Sequence, residues 1–99
     1  MGRYCFDIDG TICSKEKPEN YANAQPYPKM INAINTLYDK GHLVYLFTSR
    51  HMDKERTTKE WMKRYGVKYH HIFFGKPVAE IYVDDLAISP EKFLEKNRK

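Results

Sequence analysis

Four carboxylates stand in two tight pairs. Asp7 and Asp9 lie in Tyr4-Cys5-Phe6-Asp7-Ile8-Asp9-Gly10-Thr11, and Asp84 and Asp85 close Ile81-Tyr82-Val83-Asp84-Asp85. Each pair ends a short apolar run that reads as a buried strand. Acids there are poor core material and good material for a metal-dependent active site. On a regular strand Asp7 and Asp9 would share a face, but Gly10-Thr11 already turns the chain. One carboxylate then points into the site while the other reaches a neighbouring position. Four negative charges in a small volume repel unless a cation intervenes or a proton is shared. An all-oxygen set favours a hard divalent ion such as Mg2+. A lysine (Lys76), a hydroxyl (Thr48) and backbone N–H groups beside that ion suit a phosphate. An aspartate can also act as a covalent nucleophile in phosphoryl transfer, with the ion and the lysine carrying the electrostatic load.

The elements that must position these groups follow from periodicity and punctuation. Arg3 to Ile8 predicts a first strand. Residues 12–27, polar and carrying Pro18 and Pro26, predict a long functional flap, with a loose insertion as the bland alternative. Pro28 opens a helix whose Ile31, Ile34, Leu37 and Tyr38 share a face, and Gly41 stops it. His42 to Phe47 predicts a second strand covered on both faces, ending at Thr48-Ser49-Arg50. Asp53 is the expected cap of a helix to about Tyr65, with Thr57, Trp61 and Tyr65 on one face and Trp61 a core anchor. Tyr69 to Phe74 predicts a third strand, Ala79 to Val83 a fourth, and residues 90–98 a last helix. Helices between buried strands imply an α/β fold: a three-layer, Rossmann-like domain with a mostly parallel sheet and right-handed crossovers. Ligands bind beyond the carboxyl ends of such strands. Asp7, Thr48, Lys76 and the Asp84-Asp85 pair all fall at those ends.

Phe6-Asp7-Ile8-Asp9-Gly10-Thr11 resembles the first motif of the haloacid dehalogenase superfamily of phosphohydrolases. Leu46-Phe47-Thr48-Ser49-Arg50 resembles its second, Lys76 in Gly75-Lys76-Pro77 its third, and Val83-Asp84-Asp85 its fourth. The likeness covers nearly the whole chain in the right order. It implies that Asp7 attacks phosphorus and binds magnesium through its other oxygen. It implies that Asp9 protonates the leaving alcohol, deprotonates the water, and ligates the metal through its carbonyl. Thr48, Ser49, Arg50, Gly10 and Lys76 would hold the phosphoryl group. Asp85 is the expected acidic ligand, with Asp84 holding Lys76 or a metal-bound water, though Asp84 and Asp85 can exchange these roles.

Two features depart from that pattern. Ser89 stands where many members carry a further Asp, and the chain has no room for a substantial cap domain. The fifth strand common to the family core is absent or contributed by a partner. A capless site is open: it takes a bulky substrate or borrows a wall from a neighbouring subunit. Tyr21 and Tyr27 either stack on a substrate ring or pack on the base of the flap. Arg50 pairs either with substrate phosphate or with Asp53 or Glu55. Arg56, His51, His42, His70 and His71 read as solvated or structural, and no histidine pair has metal spacing.

The 99 residues suffice for one domain, 1–99. With 17 Lys and Arg against 13 Asp and Glu, the net charge of +4 favours anionic substrates without demanding nucleic acid. Two cysteines, Cys5 in the core of a strand and Cys13 beside the acidic motif, make neither a disulfide framework nor a zinc site, and a reducing cytoplasm is the expected location. No signal peptide or membrane span is read in the sequence. The expected activity is magnesium-dependent hydrolysis of a phosphomonoester, first a sugar phosphate. The alternatives are nucleotide or polynucleotide ends, a phosphoprotein, transfer to another alcohol, or a non-catalytic phosphate-binding or assembly protein on the same fold. A minimal domain with an uncovered edge also suggests a homo-oligomer.

Overall fold

The computed structural model describes residues 1–97. Three strands, β1 (Arg3–Asp7), β2 (Leu43–Thr48) and β3 (His71–Phe74), form one parallel sheet in the order β1-β2-β3. Helix α1 (Pro28–Asp39) joins β1 to β2, α2 (Glu55–Arg64) joins β2 to β3, and α3 (Pro90–Lys96) closes the chain. This is a minimal Rossmann-like α/β domain without a cap domain. Two steps across the sheet in one direction, each right-handed, place α1 and α2 on the same face.

Burial alternates along β2: Val44, Leu46 and Thr48 are buried, while Leu43, Tyr45 and Phe47 are half-covered. Phe6, Val44, Leu46 and Ile72 from one sheet face share a single core with Met30, Ile31, Ile34 and Leu37 of α1, Trp61 and Met62 of α2, and Phe93 of α3. Cys5 and Phe73 on the other face are exposed. Coverage of β2 on both faces is therefore corrected: among the described residues the helices share a core with one face of the sheet, and the other face is only partly covered.

The first helix behaves as its sequence requires. Pro28 occupies the first turn, and Gly41, at φ 93°, lets the chain leave for β2. The second helix buries the expected Trp61, with Tyr65 packed on the core, and differs only at Thr58. Thr58, Trp61 and Met62 face the core while Thr57 is half-covered. Asp53 does not cap it. Met52–Lys54 forms a 3-10 turn instead, and no side chain bonds the helix start. Residues 12–27 are not a loose insertion. Ile12, Cys13 and Ala24 are fully buried, Pro18–Asn23 winds into a 3-10 helix, and the Trp61 indole donates to the Ala24 carbonyl at 2.9 Å.

The fourth strand is not formed. Residues 79–83 pair with nothing in the sheet, and every residue from Pro77 to Ser89 is exposed. A strand needs a neighbour to take its backbone N–H and C=O groups, and none lies alongside. The last helix is expected over 90–98 and ends at Lys96, and Arg98 lies outside the described residues.

Candidate active site

The carboxyl end of β1 enters a tight turn: the amides of Thr11, Ile12 and Cys13 all point at the Ile8 carbonyl. Gly10, at φ 85°, completes it, with its amide donating to the Cys13 carbonyl at 2.7 Å. A Cβ there would sit 2.8 Å from Cε of Lys15, whose stem lies across the turn. Sequence reasoning passed over Lys15.

This turn separates the two acids. Asp7 Oδ1 accepts from the Ile8 amide at 2.8 Å, and Asp7 Oδ2 lies 3.4 Å from Lys76 Nζ. Lys76 reaches it from the end of β3, where its own amide donates to the Thr48 carbonyl at 2.9 Å. Its ammonium rests 4.2 Å from the Phe47 ring centre and 4.0 Å from that of Tyr82. Two aromatic faces and a carboxylate hold the cation with most of its water removed.

Asp9 is turned to Arg50. The guanidinium donates from Nη2 to Asp9 Oδ1 at 2.8 Å and from Nε to Asp9 Oδ2 at 3.1 Å, a two-pronged pair. Its Nη1 donates to Thr58 Oγ1 at 3.0 Å, and its plane lies 3.8 Å from the Tyr21 ring centre. At 3 % exposure Arg50 has neither Asp53 nor Glu55 as a partner, and its donors are turned to Asp9, Thr58 and Cys13. Tyr21 of the flap therefore lies against Arg50 at the end of β2. Thr58 was missed because a threonine on an apolar helix face reads as filler. Its spacing with Trp61 and Met62 was the available signal.

Thr48 is fully buried, and its hydroxyl accepts from the Arg50 amide at 3.0 Å, which leaves its hydrogen free to donate. Ser49 beside it is half-covered. Cys13 packs under the pair. Burial pushes its thiol up to about 12, with the Asp9 charge adding and Arg50 opposing. Burial, then Asp9, also raises the Tyr21 phenol.

Asp84 and Asp85 stay apart from this constellation. Both are exposed, and Asp84 Oδ1 accepts from the Leu86 amide at 2.9 Å in a local turn. Among the described residues no three His, Cys, Asp or Glu side chains stand close enough to hold a metal ion. Asp7 is paired with Lys76, Asp9 is engaged by Arg50, and the other acidic pair does not join them among the described residues.

No protein-family model matches the sequence, and no curated protein does. Solved structures do. A structural-genomics target from Vibrio cholerae superposes with a TM-score of 0.83 at 24% identity, over 98% of this chain and 94% of that one. A D,D-heptose 1,7-bisphosphate phosphatase from B. bronchiseptica, complexed with magnesium and phosphate, gives 0.62 at 17% identity over 88% of this chain and 54% of its own. The fold is haloacid dehalogenase-like, in a small capless form. A chain of the Pnkp1/Rnl/Hen1 complex matches it too, with a TM-score of 0.69 at 18% identity over 96% of this chain and 34% of that one. The haloacid dehalogenase-like fold places Asp7, Thr48 and Lys76 at the carboxyl ends of three adjacent parallel strands, the edge at which such sheets bind ligands. No helix among the described residues is long and apolar enough to cross a membrane.

Proposed function

We propose that the protein hydrolyses phosphomonoesters through Asp7. The observation that carries this reading is the Lys76 ammonium 3.4 Å from Asp7 Oδ2, two groups brought from strands at opposite edges of the sheet. A structural ion pair at a strand end needs no such convergence. A nucleophile beside a cation that neutralises a phosphoryl group does.

An Asp7 oxygen attacks phosphorus and the ester P–O bond breaks. The departing oxygen takes a proton from Asp9, leaving an aspartyl-phosphate and an alcohol. Water then attacks the same phosphorus, Asp9 receives its proton, the Asp7–phosphorus bond breaks, and phosphate leaves. Asp9 must release one oxygen from Arg50 to do this, so Arg50 acts as its positioning residue. The Thr48 hydroxyl, the neighbouring Ser49 and the Gly10 turn would contact the phosphoryl oxygens. Mg2+ is the cation that the acidic set would take once Asp84 or Asp85 joins Asp7, and it would neutralise phosphate charge. A sugar phosphate is the proposed substrate and the cytoplasm the proposed location. The likeness to a heptose bisphosphate phosphatase supports the substrate class.

Phosphate release from sugar phosphates, nucleotides and 5′- and 3′-phosphorylated oligonucleotides, with magnesium and with chelator, tests the reading. Asp7→Asn is expected to abolish turnover with an unchanged circular dichroism spectrum. Near-wild-type release from that variant would refute catalysis through Asp7.

A further inference from the structure

Residues 78–88 are apolar at Val78, Ile81, Tyr82, Val83, Leu86 and Ile88, yet Val83 is 96 %, Leu86 87 % and Ile81 77 % exposed. Their hydrogen bonds are all local: the Tyr82 hydroxyl to the Pro77 carbonyl, and the Leu86 and Ala87 amides to Asp84. A run with this composition and no cover is made to be buried by something. Two further features match it. Among the described residues the outer edge of β1 has no neighbouring strand, and no second acidic pair stands beside Asp7.

A strand of residues 79–83 laid parallel on β1 would fill the edge and end with Asp84 and Asp85 level with Asp7. The chain's own segment cannot get there. Phe74 lies at the top of β3, and Ala79 would have to start about 20 Å lower and about 14 Å across, three strand spacings away. That straight-line distance is about 25 Å, whereas four intervening residues reach about 17 Å at most. Parallel neighbours need a crossover of about a dozen residues, and none is present. An antiparallel return would put the acids at the wrong end of the sheet.

A second copy related by a two-fold axis has no such difficulty. Its β3 is not tied to the first copy's sheet, so it can end within reach of the start of that β1. Gly75, at φ 87°, and Pro77 then turn the chain back along the free edge. The amides of Gly75 and Lys76 stay bound to their own chain, at the Arg50 and Thr48 carbonyls, so Lys76 keeps its place beside its own Asp7. The far end also fits. Pro90 and Glu91 already line one cleft with Gly10 and Thr11, where a strand leaving the β1 edge would deliver them, and Phe93 packs 5.1 Å from the Phe6 ring centre.

We propose that the protein is a two-fold dimer that exchanges residues 78–96, each copy completing the other's sheet with Ala79–Val83 and supplying Asp84 and Asp85 to the other's Asp7. The exchange is closed and self-complementary, so it stops at two. The catalytic half of this inference rests on the phosphatase reading above. The exchange itself does not.

Three experiments separate them. In the exchanged dimer Val83 of one copy runs beside Cys5 of the other, an exposed thiol on the uncovered sheet face. Val83→Cys is expected to give a disulfide-linked dimer on mild oxidation, lost in Val83→Cys/Cys5→Ser. Wild-type protein is expected to sediment as a dimer. Asp7→Asn and the double variant Asp84→Asn/Asp85→Asn, each inactive alone, are then refolded together from urea. Random exchange makes half the molecules mixed dimers with one intact site, so about a quarter of wild-type activity returns. A monomer that is active and forms no linked dimer overturns the exchange and leaves the phosphatase standing. A linked dimer in a protein inert on every phosphate ester upholds the exchange and sinks the phosphatase. A linked, active dimer with no recovery in the mixture overturns the shared site.

Discussion

Arg50 is the most connected polar residue near the site, and its replacement has a calculable cost. Arg50→Met keeps the stem and removes two hydrogen bonds to Asp9, at 2.8 and 3.1 Å, one to Thr58 at 3.0 Å, and the stack on Tyr21. Hydrogen bonds to charged groups contribute about 1.5–3 kcal/mol each and are not additive. Breaking a buried pair costs about 3–5 kcal/mol. The Asp9 side chain is 22 % exposed, so water partly replaces the guanidinium and the lower end applies. A loss of about 3 kcal/mol would lower Tm by about 12–24 °C in a domain of this size. Urea unfolding followed by Trp61, the single tryptophan, reports it at fixed protomer concentration. The decisive measurement is the cycle of Arg50→Met, Asp9→Asn and both together. Each single variant strands a partner, so the double variant should lose less than their sum, with a coupling of about 2 kcal/mol. A coupling below about 0.5 kcal/mol would show that Arg50 does not hold Asp9 in solution. Arg50→Lys, one-pronged, should restore stability only in part.

Lys76→Met is expected to cut turnover about a hundredfold or more while leaving the urea midpoint nearly unchanged, because its Asp7 partner is one-third exposed; equal losses in both would mark the lysine as structural. Trp61→Phe removes the bond to Ala24 and part of the packing under the flap. It should cost about 1–3 kcal/mol, and protease cleavage within residues 14–25 should accelerate, which a flap held by other contacts would not show. Cys13 predicts an alkaline loss of stability. Its folded value of about 12 lies above the ordinary thiol value of 9.0, so its stabilising contribution is complete below pH 9 and falls away as pH rises towards 12. Chemical denaturation across that range should show the fall, and Cys13→Ala should flatten it. An unchanged slope in the variant would assign the fall to other groups.

The sequence by itself determined which polar groups stand at the carboxyl edge of the sheet and the strands that end on them. Asp7, Thr48 and Lys76 each follow a run of apolar residues, and a run that must be buried delivers whatever polar group ends it to the sheet edge. Pro28 and Gly41 fixed the first helix because their effects are local to the backbone. The partners were decided by tertiary structure. Arg50 meets Asp9 across 41 residues, and no spacing in the chain encodes that pair. Thr58 entered the core beside the expected Trp61 because it lies one turn before Trp61 and Met62 and meets Arg50 there. The fourth strand shows the limit most clearly. Ile81-Tyr82-Val83 has the composition of a strand, but a strand is a pairing between segments, and the pairing depends on which edge the chain can reach. Four residues after Phe74 cannot span the sheet, so the element written in the sequence stays unpaired in a single copy.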